Sequence, residues 1–185
     1  MIITISGRPG SGKSVVASRV AGAIGVEHVS AGDFMREMAE ERGISILELS
    51  RLAERNDDID AEIDGRTRRL ADTADDFVID ARLGWHFVPE SYKVFLDVRP
   101  EVAASRIYQA QRGTERENTD LDATRGAVES RARSETLRYR DYYGLDYTDP
   151  SHYDLVIDTS DLTVDQVVER VIAGSGVGEL DQHRR

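Results

Sequence analysis

Cysteine is absent from all 185 residues. That excludes disulfides, thiolate metal sites and cysteine nucleophiles, and it fits a reducing compartment. Lysine is nearly absent as well: Lys13 and Lys93 are the only two, and every other cationic side chain is an arginine. No apolar run approaches the roughly 20 residues that a membrane-crossing helix needs. The first residues lack a basic leader and run from a short apolar stretch straight into a glycine loop, unlike a secretory signal. These absences predict a cytoplasmic protein with no membrane partner. The net charge of −11 argues against general nucleic-acid binding, because phosphate backbones demand a cationic face. Acid excess with scarce lysine reads as an adaptation to high salt, where screening removes self-repulsion.

Five short apolar segments, many β-branched, read as strands: 1–6, 27–30, 77–80, 93–98 and 153–158. Helical spacing occupies 15–24 up to Gly25, 33–42 up to Gly43, and 58–74. Ser45 with Glu48 forms a capping box that opens a helix over 46–55. Pro100 opens a helix to about 111, and another helix covers 163–173. A long Arg/Glu helix over 119–143 has few large apolar residues and is expected to be mostly solvated. Residues 174–185 are expected to fray. Strands alternating with helices predict an α/β fold, a five-stranded parallel sheet flanked by helices. With no repeat or linker, residues 1–185 form one domain, expected to be monomeric. Residues 36–74 and 109–138 do not read as core and are expected to be moving helical inserts.

The first strand meets a glycine loop: Gly7, Arg8, Pro9, Gly10, Ser11, Gly12, Lys13, Ser14. This is G-x-x-x-x-G-K-[ST] between a strand and a helix, the phosphate loop of P-loop NTPases. Glycines let backbone N–H groups turn inward around phosphate oxygens, and the helix N-terminus adds positive potential. Lys13 is placed for the β- and γ-phosphates, and Ser14 for Mg²⁺. The loop predicts a bound nucleoside triphosphate and says nothing about its base; ATP as donor is what the resemblance below implies. GTPases share the loop, but their Asn-Lys-x-Asp motif is missing, and one lysine outside the loop cannot hide it.

After the second strand comes Ser30-Ala31-Gly32-Asp33-Phe34-Met35-Arg36. Here the chain resembles the nucleoside monophosphate kinases, whose S/T-x-G-D-x-x-R segment grips the acceptor phosphate. The resemblance implies that Ser30, Asp33 and Arg36 serve the acceptor. An ordinary helix cap with Arg36 in solvent is the alternative. Asp80-Ala81-Arg82 ends the third strand, where α/β sheets face their ligands. By resemblance Arg82 binds the acceptor phosphate and Asp80 orients magnesium-bound water, although Ala81 replaces the usual glycine.

Arg131 and Arg138 share a helix face, and Arg106 lies on the preceding helix. The resemblance makes these the lid arginines that close over the transferring phosphoryl group, hydrated while the lid is open. A salt-bridged surface helix is the alternative. Arg112 could help, but the family has its basic residue nearer position 110, where this chain has Ala110; Arg133 is not carried over.

The similarity is strongest to archaeal-type cytidylate kinases, through MIITISGRPGSGKS, VSAGDFMRE, VIDARLGW, RYRDYYGLD and YDLVIDTS. It implies ATP-dependent phosphorylation of CMP, and of dCMP. Asp60 and Asp64, one helical turn apart, could accept from the cytosine amino group, or be two solvated aspartates. Trp85 and His86 could line the acceptor site or simply pack. His28, His152 and His183 show no metal-ligand spacing. The alternatives are an adenylate kinase or other small-acceptor P-loop kinase, and a nucleotide-switched assembly factor.

Overall fold

The computed structural model describes residues 1–56, 58–110 and 120–176. At its centre lies β1 (Ile2–Gly7), buried at every position after the first. It pairs in parallel with β3 (Phe77–Asp80) on one side and β4 (Tyr92–Asp97) on the other. β2 (Glu27–Ser30) and β5 (Leu155–Asp158) form the edges, giving the order β2-β3-β1-β4-β5, all parallel. Continuous apolar strands suit burial on both faces. The register aligns Ser30 with Asp80 and Asp97 with Asp158. The strands' carboxyl ends, with Gly7, therefore meet at one rim.

Helix α1 (Lys13–Ile24) starts two residues earlier than its apolar spacing indicates, because Gly12 caps it directly from the loop. Between β2 and β3 come α2 (Ala31–Glu41), α3 (Ile46–Ala53) and α4 (Asp58–Thr73). The Ser45–Glu48 capping box forms as expected. A short helix, α5 (Gly84–Phe87), follows β3, and a 3₁₀ turn, Pro150–His152, precedes β5; neither has enough residues to show a period. Between β4 and β5 come α6 (Pro100–Ala110) and α7 (Leu121–Tyr143). Helix α8 (Val164–Ser175) reaches past the expected end at 173 and closes at Gly176. Residues 177–185 of the expected tail, and 111–119 of the expected lid with Arg112, lie outside the described residues.

The main core packs Ile3, Ile5, Val78, Val94 and Leu96 of the sheet against Val16, Val20, Val167 and Val171 of α1 and α8. Met35, Met38, Ile46, Leu49 and Ile59 form a second, separate core joining α2, α3 and the start of α4.

Most of helix α7 is exposed or half-buried, as expected, but its C-terminal half has a buried face. Ser134, Glu135, Arg138 and Tyr139 are buried. Tyr139 joins Leu83, Trp85, Phe95 and Tyr147 in an aromatic cluster, and the Ser134 hydroxyl donates to the Ser50 carbonyl at 3.4 Å. Charged residues that bury in pairs leave no apolar period to read.

Candidate active site

The phosphate loop is shaped by contacts that only glycine allows. A Cβ on Gly7 would lie 2.2 Å from the Leu96 carbonyl oxygen, and one on Gly10 would lie 2.7 Å from the Ala103 backbone. Both residues have positive φ, 146° and 77°. Arg106 braces this loop from α6: it donates to the Thr159 carbonyl at 2.8 Å, the Thr159 hydroxyl at 3.0 Å and the Gly10 carbonyl at 3.4 Å. The Thr159 hydroxyl also lies 3.2 Å from the Ser11 carbonyl. Lys13 donates to the Arg8 carbonyl at 3.3 Å. Burial, then the charge of Arg82, pulls the Lys13 amine well below its ordinary value, while Asp80 and Glu135 push it back.

One cavity of about 420 Å³ runs from this loop to α4. Pro9 to Ser14, Arg36, Asp60, Asp64, Asp80, Arg82, Arg106, Arg131 and Arg138 all line it. Asp80 is buried among His28, Ser14, Ser30 and Lys13. Burial pushes its carboxyl up, but those neighbours outweigh burial and hold it below the ordinary value. Its Oδ2 has no hydrogen-bond partner among the described residues.

Beside Asp80 the cations converge on Glu135. Its carboxylate takes Arg82 Nε at 2.7 Å and Arg131 Nε at 3.1 Å. Burial pushes Glu135 up, yet Arg82 and then Arg131 pull it down to about 2. Arg138 pairs with Asp60 at 2.6 Å and donates to the Ser50 carbonyl at 3.2 Å. Arg138 and Asp60 are 6% and 4% exposed, so neither is the solvated surface group that the sequence left open. Of the three arginines expected in the lid, Arg138 is buried, whereas Arg131 and Arg106 are half-buried. Pairing satisfies guanidinium and carboxylate together, which is how such charges bury. Tyr143 donates its hydroxyl to Asp64.

Several sequence expectations fall elsewhere. Gly7, Arg8, Ser30 and Asp33 do not line the cavity. Arg8 pairs with Asp97 at 2.8 Å on the exposed side of the loop. Ser30 caps α2 by accepting from the Asp33 N–H at 3.3 Å, and Asp33 pairs with Arg36. Trp85 stacks on His152 at 4.2 Å, away from the cavity, with His86 against its edge. Sequence reasoning missed Glu135, Tyr143 and Thr159 as site residues. Glu135 and Arg131 carried a signal, an i,i+4 opposite-charge pair.

A family model described as "Cytidylate kinase-like family" matches residues 2–161. The chain belongs to that family. A cytidylate kinase of Natronomonas pharaonis is 41% identical over 179 residues, covering 96% of this chain and 89% of the relative. That of Methanothermobacter thermautotrophicus is 44% identical over 160 residues, covering 86% and 96%. Among solved structures, a shikimate kinase from Bacteroides thetaiotaomicron aligns with a TM-score of 0.60, covering 94% of this chain and 97% of its own. At 15% identity that likeness speaks for the fold alone. The cytidylate kinase-like family accounts for the sheet, the phosphate loop and the arginine-lined cavity as parts of one kinase.

Proposed function

We propose that this protein transfers the γ-phosphoryl group of ATP to CMP, and to dCMP, with Mg²⁺. The observation that carries the reading is the single cavity, which joins a phosphate loop, a set of arginines and an acidic wall on α4. The names of the relatives point the same way, and favour neither an adenylate kinase nor a nucleotide-switched assembly factor.

The triphosphate lies in the loop, with Lys13 at its β- and γ-oxygens. Ser14 and Asp80, whose Oδ2 lies 3.8 Å from His28 Nε2, supply hard oxygen donors on the same side of the cavity, which suits Mg²⁺, Asp80 acting through water. When bound, Mg²⁺ neutralises charge on the β- and γ-oxygens. Arg36 and Arg82 hold the acceptor phosphate, with Ser30 and Asp33 fixing the turn that aims Arg36. Glu135 holds Arg82 through Nε and a terminal nitrogen, and Arg131 through Nε, which fixes both guanidiniums at the wall of the cavity. Arg131, Arg138 and Arg106 offset the charge that moves between oxygens in line. Residues 36–74 form the acceptor lobe and 109–138 the lid, whose closure keeps water from the triphosphate.

The test is an acceptor screen with ATP across the common monophosphates. CMP should give the highest kcat/KM. Phosphorylation of AMP in preference to CMP, or ATP hydrolysis unaffected by any monophosphate, would overturn the reading.

A further inference from the structure

Asp60, Ile63, Asp64 and Thr67 form one face of α4, and all four line the acceptor end of the cavity. Ala31, Met35 and Phe87 line the same end. Such a wall offers apolar contact to a flat ring and carboxylates to its edge. The two carboxylates are not equivalent. Asp60 is ion-paired to Arg138. Asp64, 8% exposed, accepts the Tyr143 hydroxyl at Oδ2, which leaves Oδ1 for a ligand.

We propose that Asp64 reads position 4 of a pyrimidine monophosphate, and that protonating this carboxyl turns a site that rejects a 4-oxo base into one that accepts it. The inference rests on the acceptor being a pyrimidine monophosphate, as proposed above. The 4-amino group of cytosine donates, and an ionised carboxylate accepts from it. The 4-oxo group of uracil offers lone pairs, so against a carboxylate two acceptors face each other in a buried place. A protonated carboxyl has an O–H to donate to O4 and an oxygen that still accepts from an amino group. CMP is therefore taken in both states and UMP in one.

The surroundings put the changeover within reach of experiment. Burial raises the Asp64 carboxyl to about 6; Asp60 adds to this, while the Tyr143 hydrogen bond, Arg68 and Arg138 oppose it. The groups facing Asp64 are Asp60 and Arg68 from α4 itself, and Tyr143 and Arg138 from α7. Arg36 from α2 and Arg82 after β3 line the same cavity. From α5, the His86 ring borders Tyr143, its own value lowered by burial and then by Arg68 and His152.

The experiment measures kcat/KM for CMP and for UMP at saturating ATP from about pH 5.5 to about pH 8. Taking the ratio cancels the phosphate ionisation that both acceptors share. With a carboxyl near 6, its protonated share rises roughly 75-fold between about pH 8 and about pH 5.5. UMP efficiency relative to CMP should therefore rise about 75-fold on acidification. Tyr143→Phe removes a donor that favours the carboxylate, so the midpoint should move to higher pH. Asp64→Asn should flatten the profile and narrow the preference for CMP, which a residue of purely structural value would not do. A pH-independent ratio in the wild type, or a wild-type profile in Asp64→Asn, would overturn the inference while leaving CMP phosphorylation standing. Failure to phosphorylate CMP at any pH would overturn both.

Discussion

Among single residues, Lys13 carries the plainest expectation. It is the only lysine in the phosphate loop and lines the cavity there. Lys13→Ala should keep the fold and lower kcat by about 10²–10³, the usual effect of losing one transition-state contact. Steady-state kinetics alongside a circular dichroism spectrum check this. Arg138 differs, because it is buried against Asp60. Arg138→Ala strands that carboxylate and should cost about 3–5 kcal/mol of stability as well as activity. Denaturant unfolding measures it, and Asp60→Ala on the same background should recover part of the loss. A change below about 0.5 kcal/mol would return Arg138 to the hydrated surface. Glu135, held at about 2 by Arg82 and Arg131, is a depressed carboxyl. Its ion pairs stabilise fully above the ordinary carboxyl value and are lost as pH falls through that value towards 2. Glu135→Gln should flatten the acid limb of a Tm-versus-pH curve between about pH 5 and pH 2. How far such residues are legible in the sequence depends on distance along the chain. The phosphate loop is contiguous and declares itself. Asp64 and Tyr143 are 79 positions apart, and Arg82 and Glu135 are 53 apart, so their pairing has no local trace.

At the scale of elements, the sequence anticipates each described strand and every described α-helix but α5, with bounds displaced by a few residues. What it misses in α7 is the buried face of Glu135, Arg138 and Tyr139; a charged residue reads as surface unless its partner is known. The insert between β2 and β3 is the other informative element. Its core of Met35, Met38, Ile46, Leu49 and Ile59 is distinct from the one that α1 and α8 share with the sheet, although Ala31, Ile63 and Leu70 of α2 and α4 also pack on β3. Leu49 is fully buried in that cluster. Leu49→Ala should cost about 2–5 kcal/mol locally. Hydrogen exchange should show α2, α3 and α4 losing protection before β1, β3 and β4. Loss of protection throughout the molecule at one rate would refute a separable insert.

For the whole molecule, charge dominates. With a net charge of −11 and cations almost all arginine, the surface repels itself in dilute buffer. The melting temperature should climb with KCl from about 0.1 M to about 3 M, as screening takes hold. A flat or falling series would remove the high-salt reading and leave the chemistry untouched.

The contacts that tie α7 to the insert are polar: Arg138 to Asp60 and to the Ser50 carbonyl, Ser134 to Ser50, Tyr143 to Asp64. An apolar seam can only be opened, whereas a polar one can be exchanged. Each of these groups can give up its present partner for an oxygen or amine of an arriving nucleotide and remain satisfied throughout. On the proposed reading, the acceptor end is held by the same kind of bonds that a substrate brings, so a nucleotide would be received there by exchange of polar partners rather than by forcing apart a packed interface.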